Sequence, residues 1–277
     1  MDVTTLPTSE VISVDYAEHV ATVWLDRPRK LNAMAPGFWT EFPIIIEAIT
    51  EHEDVRVIVV AARGRAFTAG LDLQEFADLF AVKSDTSMAK QNRELYQQVK
   101  LMQHTFTVLD KARQPVIAAV HGACIGAGMD LITAADIRFA AANAIFSIRE
   151  TKIAITADVG TLQRLPRIIN RGDANELALT GRDIDANEAL RIGLVNKVLD
   201  SQEAVYAHAM AVAGEIAANS PLAVQGTKAV MKAGDDMSVD QALDYVALWN
   251  SSFLKSDDIT EAVMSFVEKR PPLFRGE

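Results

Sequence analysis

Alternating and clustered hydrophobic positions predict a mixed order of strands and helices over the first 200 residues. Residues 11–14 and 20–25 alternate apolar with polar positions and predict a β-hairpin. Apolar residues at 38, 42, 45 and 49 have helical spacing and predict a helix over 38–52, with Pro43 early in it. Short apolar segments predict further strands at 54–60, 116–120, 137–140, 144–147 and 194–198.

The helical pattern is longer in two other parts of the chain. Residues 74–113 are mostly helical in composition, and the polar break at 83–87 predicts a mobile loop. After residue 201 no strand pattern remains, and helices are predicted at 202–218, 221–233 and 238–255, followed by a short tail. We therefore predict an α/β core over 1–200 and a helical region over 201–277.

Composition and charge exclude several classes of function for these 277 residues. A hydrophobic fraction of 49% is typical of a globular protein with a large core. The net charge of −10 argues against nucleic acid or an anionic membrane as the main partner. Cys124 is the single cysteine, so neither an internal disulfide nor a cysteine zinc site is possible. Neither end resembles a sorting signal, which predicts a cytoplasmic location.

A glycine-rich turn at 122–128 follows the apolar strand at 116–120 and precedes a helix predicted from Met129. Backbone N–H groups at the start of a helix have no partner within the helix and can bind an oxygen atom. The turn lacks the third glycine of a dinucleotide-binding fingerprint, because residue 131 is leucine. No phosphate-binding P-loop sequence is present either.

Three carboxylates, Asp130, Glu150 and Asp158, lie in or beside apolar sequence after this turn. Taken singly, Asp130 could favour a helix dipole, Glu150 could be a solvated charge, and Asp158 could cap a helix. Burying a carboxylate costs free energy, so three of them near free N–H groups favour a chemical role. Such an arrangement is typical of proton transfer next to a carbonyl group whose oxygen is held by the N–H groups.

Longer sequence segments resemble a known family. On residues 65–73, 115–131, 180–196 and 266–272 the chain is identified as a member of the crotonase (enoyl-CoA hydratase/isomerase) superfamily. The resemblance covers nearly the whole chain. It implies an α/β fold, a spiral of ββα units, and a C-terminal helical region that forms trimers, which stack into hexamers.

The three acids resemble those of the Δ3,5-Δ2,4-dienoyl-CoA isomerase branch of that superfamily. Hydratases of the superfamily carry glutamate where Asp130 stands and glycine where Asp158 stands. The resemblance implies an isomerase of fatty-acid β-oxidation that shifts the double bonds of 3,5-dienoyl-CoA to the 2,4 positions. A 2-enoyl-CoA hydratase that uses Asp130 and Glu150 is the alternative. An RNA-binding or non-catalytic homologue is a third possibility, which the net charge and the intact acids disfavour.

The same resemblance implies roles for individual residues. Glu150 and Asp158 would transfer protons, Asp130 would orient them, and the N–H groups of Leu71 and Ala127 would form an oxyanion hole. An acyl-CoA thioester would be the substrate, with no metal, separate cofactor or nucleic acid. The residues expected near coenzyme A are Arg29, Lys30, Ala69, Gly70, Asp72, Gly126, Phe266 and Lys269.

Overall fold

Two β-sheets organise the computed structural model, which describes residues 1–2, 6–77, 81 and 86–277. The larger sheet has the order β1-β2-β3-β4-β6-β9, and the smaller has the order β5-β7-β8. Only the β1–β2 hairpin is antiparallel in the larger sheet. The strands are β1 (Ile12–Ala17), β2 (Val20–Leu25), β3 (Val57–Ala62), β4 (Val116–Val120), β5 (Ala123–Ile125), β6 (Ile137–Ala141), β7 (Ile145–Ser147), β8 (Ile184–Asp185) and β9 (Lys197–Leu199).

Helices cover both faces of the larger sheet and make up the C-terminal quarter of the chain. No helix of the described residues combines the length and apolarity needed to cross a bilayer. The helices are α1 (Pro36–Glu51), α2 (Met88–Asp110), α3 (Ala127–Thr133), α4 (Thr161–Arg164), α5 (Arg171–Thr180), α6 (Ala186–Arg191), α7 (Gln202–Ala217), α8 (Pro221–Gly234), α9 (Val239–Phe253) and α10 (Asp257–Glu268).

Strand β3 shows why the strands of this sheet have continuous apolar sequences. Alternate residues of β3 face two separate cores, because successive side chains of a strand point to opposite faces. Ile58 and Val60 lie in the core that contains α1 and α2. Val57 and Val59 lie in a second core against α7, which presents small buried residues at Ala209, Ala213 and Ala217. Helix α7 therefore covers one face of the sheet, and α1 and α2 cover the other.

The spiral arrangement follows from how consecutive strands divide between the sheets. Strand β4 lies in the larger sheet, β5 crosses to the smaller one, and α3 follows directly. Strands β6 and β7 repeat this division, and β7 pairs with β5. The predicted α/β fold with ββα units is confirmed, and the predicted hairpin is confirmed with it. The glycine-rich turn contains strand β5, which the sequence pattern alone did not predict.

The C-terminal region differs from the prediction in one respect. The segment predicted as a short tail contains the helix α10, whose first turn is capped by the side chain of Ser256. Much of its apolar surface is exposed, with Phe266 at 85%, so the chain shows no compact core there. The mobile loop predicted at 83–87 falls mainly outside the described residues. The division of the chain near residue 200 stays a prediction.

Pro43 was expected early in its helix, but it lies in the interior of α1. A proline has no N–H group, so the carbonyl oxygen of Trp39 loses its usual helical donor. The hydroxyl of Thr105 in α2 donates to that oxygen at 3.0 Å, and both residues are buried. The partner helix thus replaces the missing bond, which explains how α1 continues through the proline.

Candidate active site

The first element of the site is the loop that carries Leu71. This residue forms an isolated parallel bridge with Met34. The N–H of Met34 donates to Gly70 O at 2.8 Å, and the N–H of Asp72 donates to Met34 O at 3.2 Å. Both bonds of the bridge use the neighbours of Leu71, so the N–H of Leu71 itself points to the other side of the loop. No acceptor for that N–H is found among the described residues, so it can bind an external oxygen.

Arg27 fixes this loop from the N-terminal side. Its guanidinium donates to Asp72 Oδ2 at 2.7 Å and to the carbonyl oxygen of Ala33 at 3.2 Å, and it also pairs with Glu75. Burial alone would raise the pKa of Asp72, but the hydrogen bond and charge of Arg27, together with backbone hydrogen bonds from Gln74 and Glu75, lower it. The carboxylate of Asp72 is thus occupied by an internal ion pair, and its predicted role beside coenzyme A stays a prediction.

The second N–H donor lies at the start of α3. Ala127 is the first residue of this helix, so its N–H precedes the helical hydrogen bonds. Its φ angle is negative, since it is absent from the left-handed residues of the described chain. An alanine here needs a negative φ, because its methyl group makes the left-handed region costly. A Cβ atom placed on Gly70 would lie 3.5 Å from Ala127 N and 2.6 Å from Ile125 O. The two loops are therefore in contact, and Gly70 is needed there because a side chain would not fit.

Asp130 lies in the first turn of α3 and is almost completely buried. Its Oδ1 atom accepts a hydrogen bond from the N–H of Thr161 at 2.5 Å. Burial raises the pKa of Asp130 from 3.8 to about 6, while the bond from Thr161 and the charge of Arg164 oppose that rise. Asp130 thus joins α3 to the turn that carries Asp158, in addition to any effect on the helix dipole.

Glu150 lies in a short 3₁₀ turn, Glu150–Ile153, directly after β7. A Cβ atom on Gly126 would lie 3.3 Å from Glu150 Oε1, so the carboxylate is next to the residue preceding the Ala127 donor. The Oε2 atom is buried, and no described residue forms a hydrogen bond with it. Burial, followed by repulsion from Asp130, raises the pKa of Glu150 from 4.5 to about 7. These observations argue against a simple solvated charge.

Asp158 is the most exposed of the three acids, and burial raises its pKa. It does not cap α4, because the capping position is Gly160 and no side chain bonds to the first turn. The side-chain amide of Gln103 in α2 donates to the backbone oxygen of Asp158 at 2.7 Å. Asp158 also raises the pKa of Asp130 and Glu150 by repulsion. The structure therefore groups the three predicted acids.

The residues predicted to contact coenzyme A occupy two different places. Gly70 is buried in the loop contact, and Gly126 adjoins Glu150. Arg29, Lys30 and Ala69 are exposed around the Arg27–Asp72 ion pair. Phe266 and Lys269 are exposed at the end of α10, and no described hydrogen bond joins them to the other residues of the site. Their predicted contact with the adenine end stays a prediction.

Three polar side chains of the site were missed by the sequence analysis. Arg27, Gln103 and Arg164 each contact a loop that carries a candidate residue. Arg27 lies 45 residues from its partner and Gln103 lies 55 residues from its own, so no local pattern relates them. The one local signal was Gly160, four residues before Arg164, at a φ of +136°.

Comparisons with known proteins find similar sequences. The sequence profile of the family described as Enoyl-CoA hydratase/isomerase matches residues 15–277. The mitochondrial Delta(3,5)-Delta(2,4)-dienoyl-CoA isomerase of Dictyostelium discoideum is 44% identical over 92% of this chain and 87% of its own. The peroxisomal Delta(3,5)-Delta(2,4)-dienoyl-CoA isomerase of Arabidopsis thaliana is 43% identical over 96% of both chains.

The fold is similar to that of a solved hydratase. The crystal structure of an enoyl-CoA hydratase from Bacillus anthracis superposes with a TM-score of 0.88 at 33% identity. The superposition covers 97% of this chain and 100% of that chain.

The cytoplasmic location predicted from the sequence is wrong. The two relatives above are named for the mitochondrion and the peroxisome. The prediction relied on the two ends of the chain, whereas sorting signals are short segments read by receptors and are independent of the fold.

Proposed function

The chain belongs to the enoyl-CoA hydratase/isomerase family, and we propose that it converts 3,5-dienoyl-CoA to 2,4-dienoyl-CoA. One observation carries this proposal: Asp158 lies with Asp130 and Glu150 in one mutually repelling group. A water-adding enzyme needs two acids around one water molecule, whereas a proton shift along a diene benefits from separate groups for its two ends. The similarity to two dienoyl-CoA isomerases supports the same substrate.

The proposed reaction starts with the thioester carbonyl between the N–H groups of Leu71 and Ala127. These donors stabilise the negative charge that forms on oxygen when a carboxylate removes the C2 proton. The resulting dienolate takes a proton at C6, which leaves double bonds at C2 and C4. Glu150 and Asp158 carry the two proton transfers, and Asp130 biases their protonation. No oxidation state changes, so the proposal includes no redox cofactor, and the two N–H donors take the place that a metal would have in polarising the carbonyl.

A 2-enoyl-CoA hydratase is the second candidate. It is favoured by the buried Asp130 beside the half-buried Glu150, whose Oε2 atom is buried, and by the structural similarity to a hydratase. In that case Asp158 would only shape the turn before α4.

An ultraviolet assay separates the two candidates. Purified protein is given 3,5-octadienoyl-CoA, and formation of the conjugated 2,4-dienoyl thioester is followed, with hydration of crotonyl-CoA measured in parallel. Rapid dienoyl formation with weak hydration supports the isomerase. Strong hydration without dienoyl formation contradicts it and supports the hydratase. Inactivity on both thioesters contradicts both candidates.

The assay also tests the donor in α3. We expect Ala127→Pro to lower kcat about 10²–10³-fold, the usual effect of losing one oxyanion donor. Proline is tolerated at the first position of a helix, so the thermal stability should change little. Ala127→Gly keeps the N–H and is the matched control, with activity near that of the wild type. Activity of Ala127→Pro within a few fold of the wild type would rule out this donor.

The pH dependence follows from the raised pKa values of Asp130, about 6, and Glu150, about 7. One carboxylate must be ionised to accept the C2 proton, and another must be protonated to donate at C6. We therefore expect kcat/KM to fall above about pH 7, where Glu150 loses its proton, and to fall at acidic pH, where the carboxylate that accepts the C2 proton is itself protonated. A profile measured at constant ionic strength that stays flat across this range would contradict two-carboxylate proton transfer.

The arrangement of several copies and of coenzyme A belongs to the same proposal. We propose a homotrimer or homohexamer built through the helical region over 201–277. Its large exposed apolar side chains, such as Val239, Val267 and Leu273, support a covered surface there. Arg29 and Lys30 would contact the phosphates of coenzyme A, and Phe266 and Lys269 the adenine end. The proposed partners are therefore the acyl-CoA thioester and further copies of the chain.

A further inference from the structure

The turn over residues 157–161, here called the acid turn, is held by groups from three directions. The Gln103 amide bonds to Asp158 O, and the carboxylate of Asp130 accepts from Thr161 N. The third group is the guanidinium of Arg164, whose Nη1 atom donates to the backbone oxygen of Val159 at 3.4 Å. These three side chains therefore hold the acid turn in place.

Arg164 also joins the acid turn to α2. Its Nη2 atom donates to Thr107 Oγ1 at 3.3 Å, and its Nε atom lies 3.7 Å from Asp110 Oδ2. The side chain is 17% exposed, so these contacts are largely shielded from water. One planar group thus bridges Val159, Thr107 and Asp110, a geometry that suits the fixed donor directions of arginine better than those of lysine.

Gly160 makes room for this guanidinium. A Cβ atom on Gly160 would overlap Arg164 Nη1, and the φ of +136° disfavours any other residue. The sequence thus places a glycine where the guanidinium must lie against the backbone of the acid turn. The close contact between Gly160 and the Arg164 guanidinium therefore belongs to the structure of the acid turn.

The charge of Arg164 faces a group of negative and titratable side chains. Asp130 interacts with Glu150 and Asp158, which repel it, with Arg164, which attracts it, and with the buried thiol of Cys124. Arg164 lowers the pKa of Asp130 against the larger effect of burial. It is the one positive charge among these interacting groups in the described part of the chain.

We propose that Arg164 is a positioning residue of this site, which holds the acid turn and supplies the positive charge that faces Asp130. The inference rests on the proposed function only in naming proton transfer as the step affected. Removal of Arg164 leaves Asp110 paired with Lys232 of α8, so no buried carboxylate loses its last partner. A variant without Arg164 should therefore fold.

The test compares Arg164→Gln, Arg164→Lys and the control Arg167→Gln. Arg167 is an exposed arginine three residues later, paired with Asp236 at 2.9 Å. For Arg164→Gln we expect kcat to fall about 10-fold to 100-fold, with KM changed less than about twofold, because the acids and not the bound thioester are displaced. Without the positive charge the acids bind protons more tightly, so the acidic limb of the kcat/KM profile should move to higher pH.

Arg164→Lys keeps the charge but cannot bridge the same three acceptors. We expect it to restore the position of the acidic limb while kcat stays below the wild-type value. Arg167→Gln should match the wild type in every measurement. If Arg164→Gln keeps the wild-type kcat and pH profile, or if both Arg164 variants show the same displaced limb, the proposal is wrong.

The experiment distinguishes failure of the proposed function from failure of the proposal for Arg164. Absence of wild-type turnover of 3,5-octadienoyl-CoA contradicts the proposed function. The ratio of variant to wild-type rates, measured with whichever thioester the wild type converts, tests Arg164 separately. Should Arg164→Gln not fold, Arg164→Lys decides: a wild-type kcat would overturn the proposal, and a lowered kcat with an unmoved limb would support it.

Discussion

Asp158→Asn should lower the isomerisation of 3,5-octadienoyl-CoA by about 10²–10⁴-fold, the range of a lost general acid or base. Asparagine has nearly the same shape but neither accepts nor donates the transferred proton. The backbone oxygen of Asp158, which binds Gln103, is unaffected by the change. The acid turn should therefore keep its structure, and the loss should appear in kcat.

Hydration of crotonyl-CoA provides the internal comparison for this variant. Hydration would use Asp130 and Glu150, so any such activity of the wild type should largely persist in Asp158→Asn. Asp200→Asn, at an exposed aspartate after β9, is the matched control and should change neither reaction. If Asp158→Asn retains isomerase activity, Asp158 is a structural residue and the two-acid mechanism fails.

Glu150→Gln should show the second large effect, a loss of activity together with a gain of stability. Both candidate reactions use Glu150, so each should fall about 10²–10⁴-fold. The folded pKa of about 7 lies above the ordinary 4.5, so the folded state holds a proton that the unfolded state releases between these values. The free energy of unfolding of the wild type therefore falls as the pH rises from the ordinary pKa to the folded pKa. Above the folded pKa the whole cost of burying the ionised carboxylate is present.

Glutamine cannot ionise, so the variant does not have to bury a charged carboxylate. We expect Glu150→Gln to raise the free energy of unfolding by about 1–3 kcal/mol near pH 8, and to change it little near pH 4.5. Urea unfolding at both pH values measures the difference, with the exposed Glu53→Gln as control. A loss of stability at pH 8 would mean that the Glu150 carboxylate has a partner that compensates its burial.

The sequence predicted the sheet because its strands are buried on both faces, which makes apolar segments such as 57–62 continuous. It missed α10 by assigning this segment to the tail, although Ile259, Val263 and Val267 have helical spacing. It also placed Pro43 too early in its helix, and it did not predict that the hydrogen bond to the carbonyl oxygen of Trp39 comes from Thr105 on another helix. A local pattern contains no information about such a donor.

The same distinction applies to the site. Asp130, Glu150 and Asp158 were found because carboxylates in apolar sequence are unusual and because the family resemblance selected them. Arg27 and Gln103 could not be found, since their partners lie 45 and 55 residues away. The grouping of the acids is a property of the folded chain, and it depends on long-range hydrogen bonds such as the one between Asp130 and Thr161.

The bridge between Met34 and Leu71 has a consequence for how the chain acquires activity. It joins the segments that follow β2 and β3, two strands that pair in parallel and are separated in sequence by α1. The Ala127 donor reaches the same place only when β4 has joined β3. Such nonlocal pairings give a high contact order and are late, slow events in folding. We therefore expect the N–H groups of Leu71 and Ala127 to come together late in folding, so that a refolding chain regains its helices before it regains turnover.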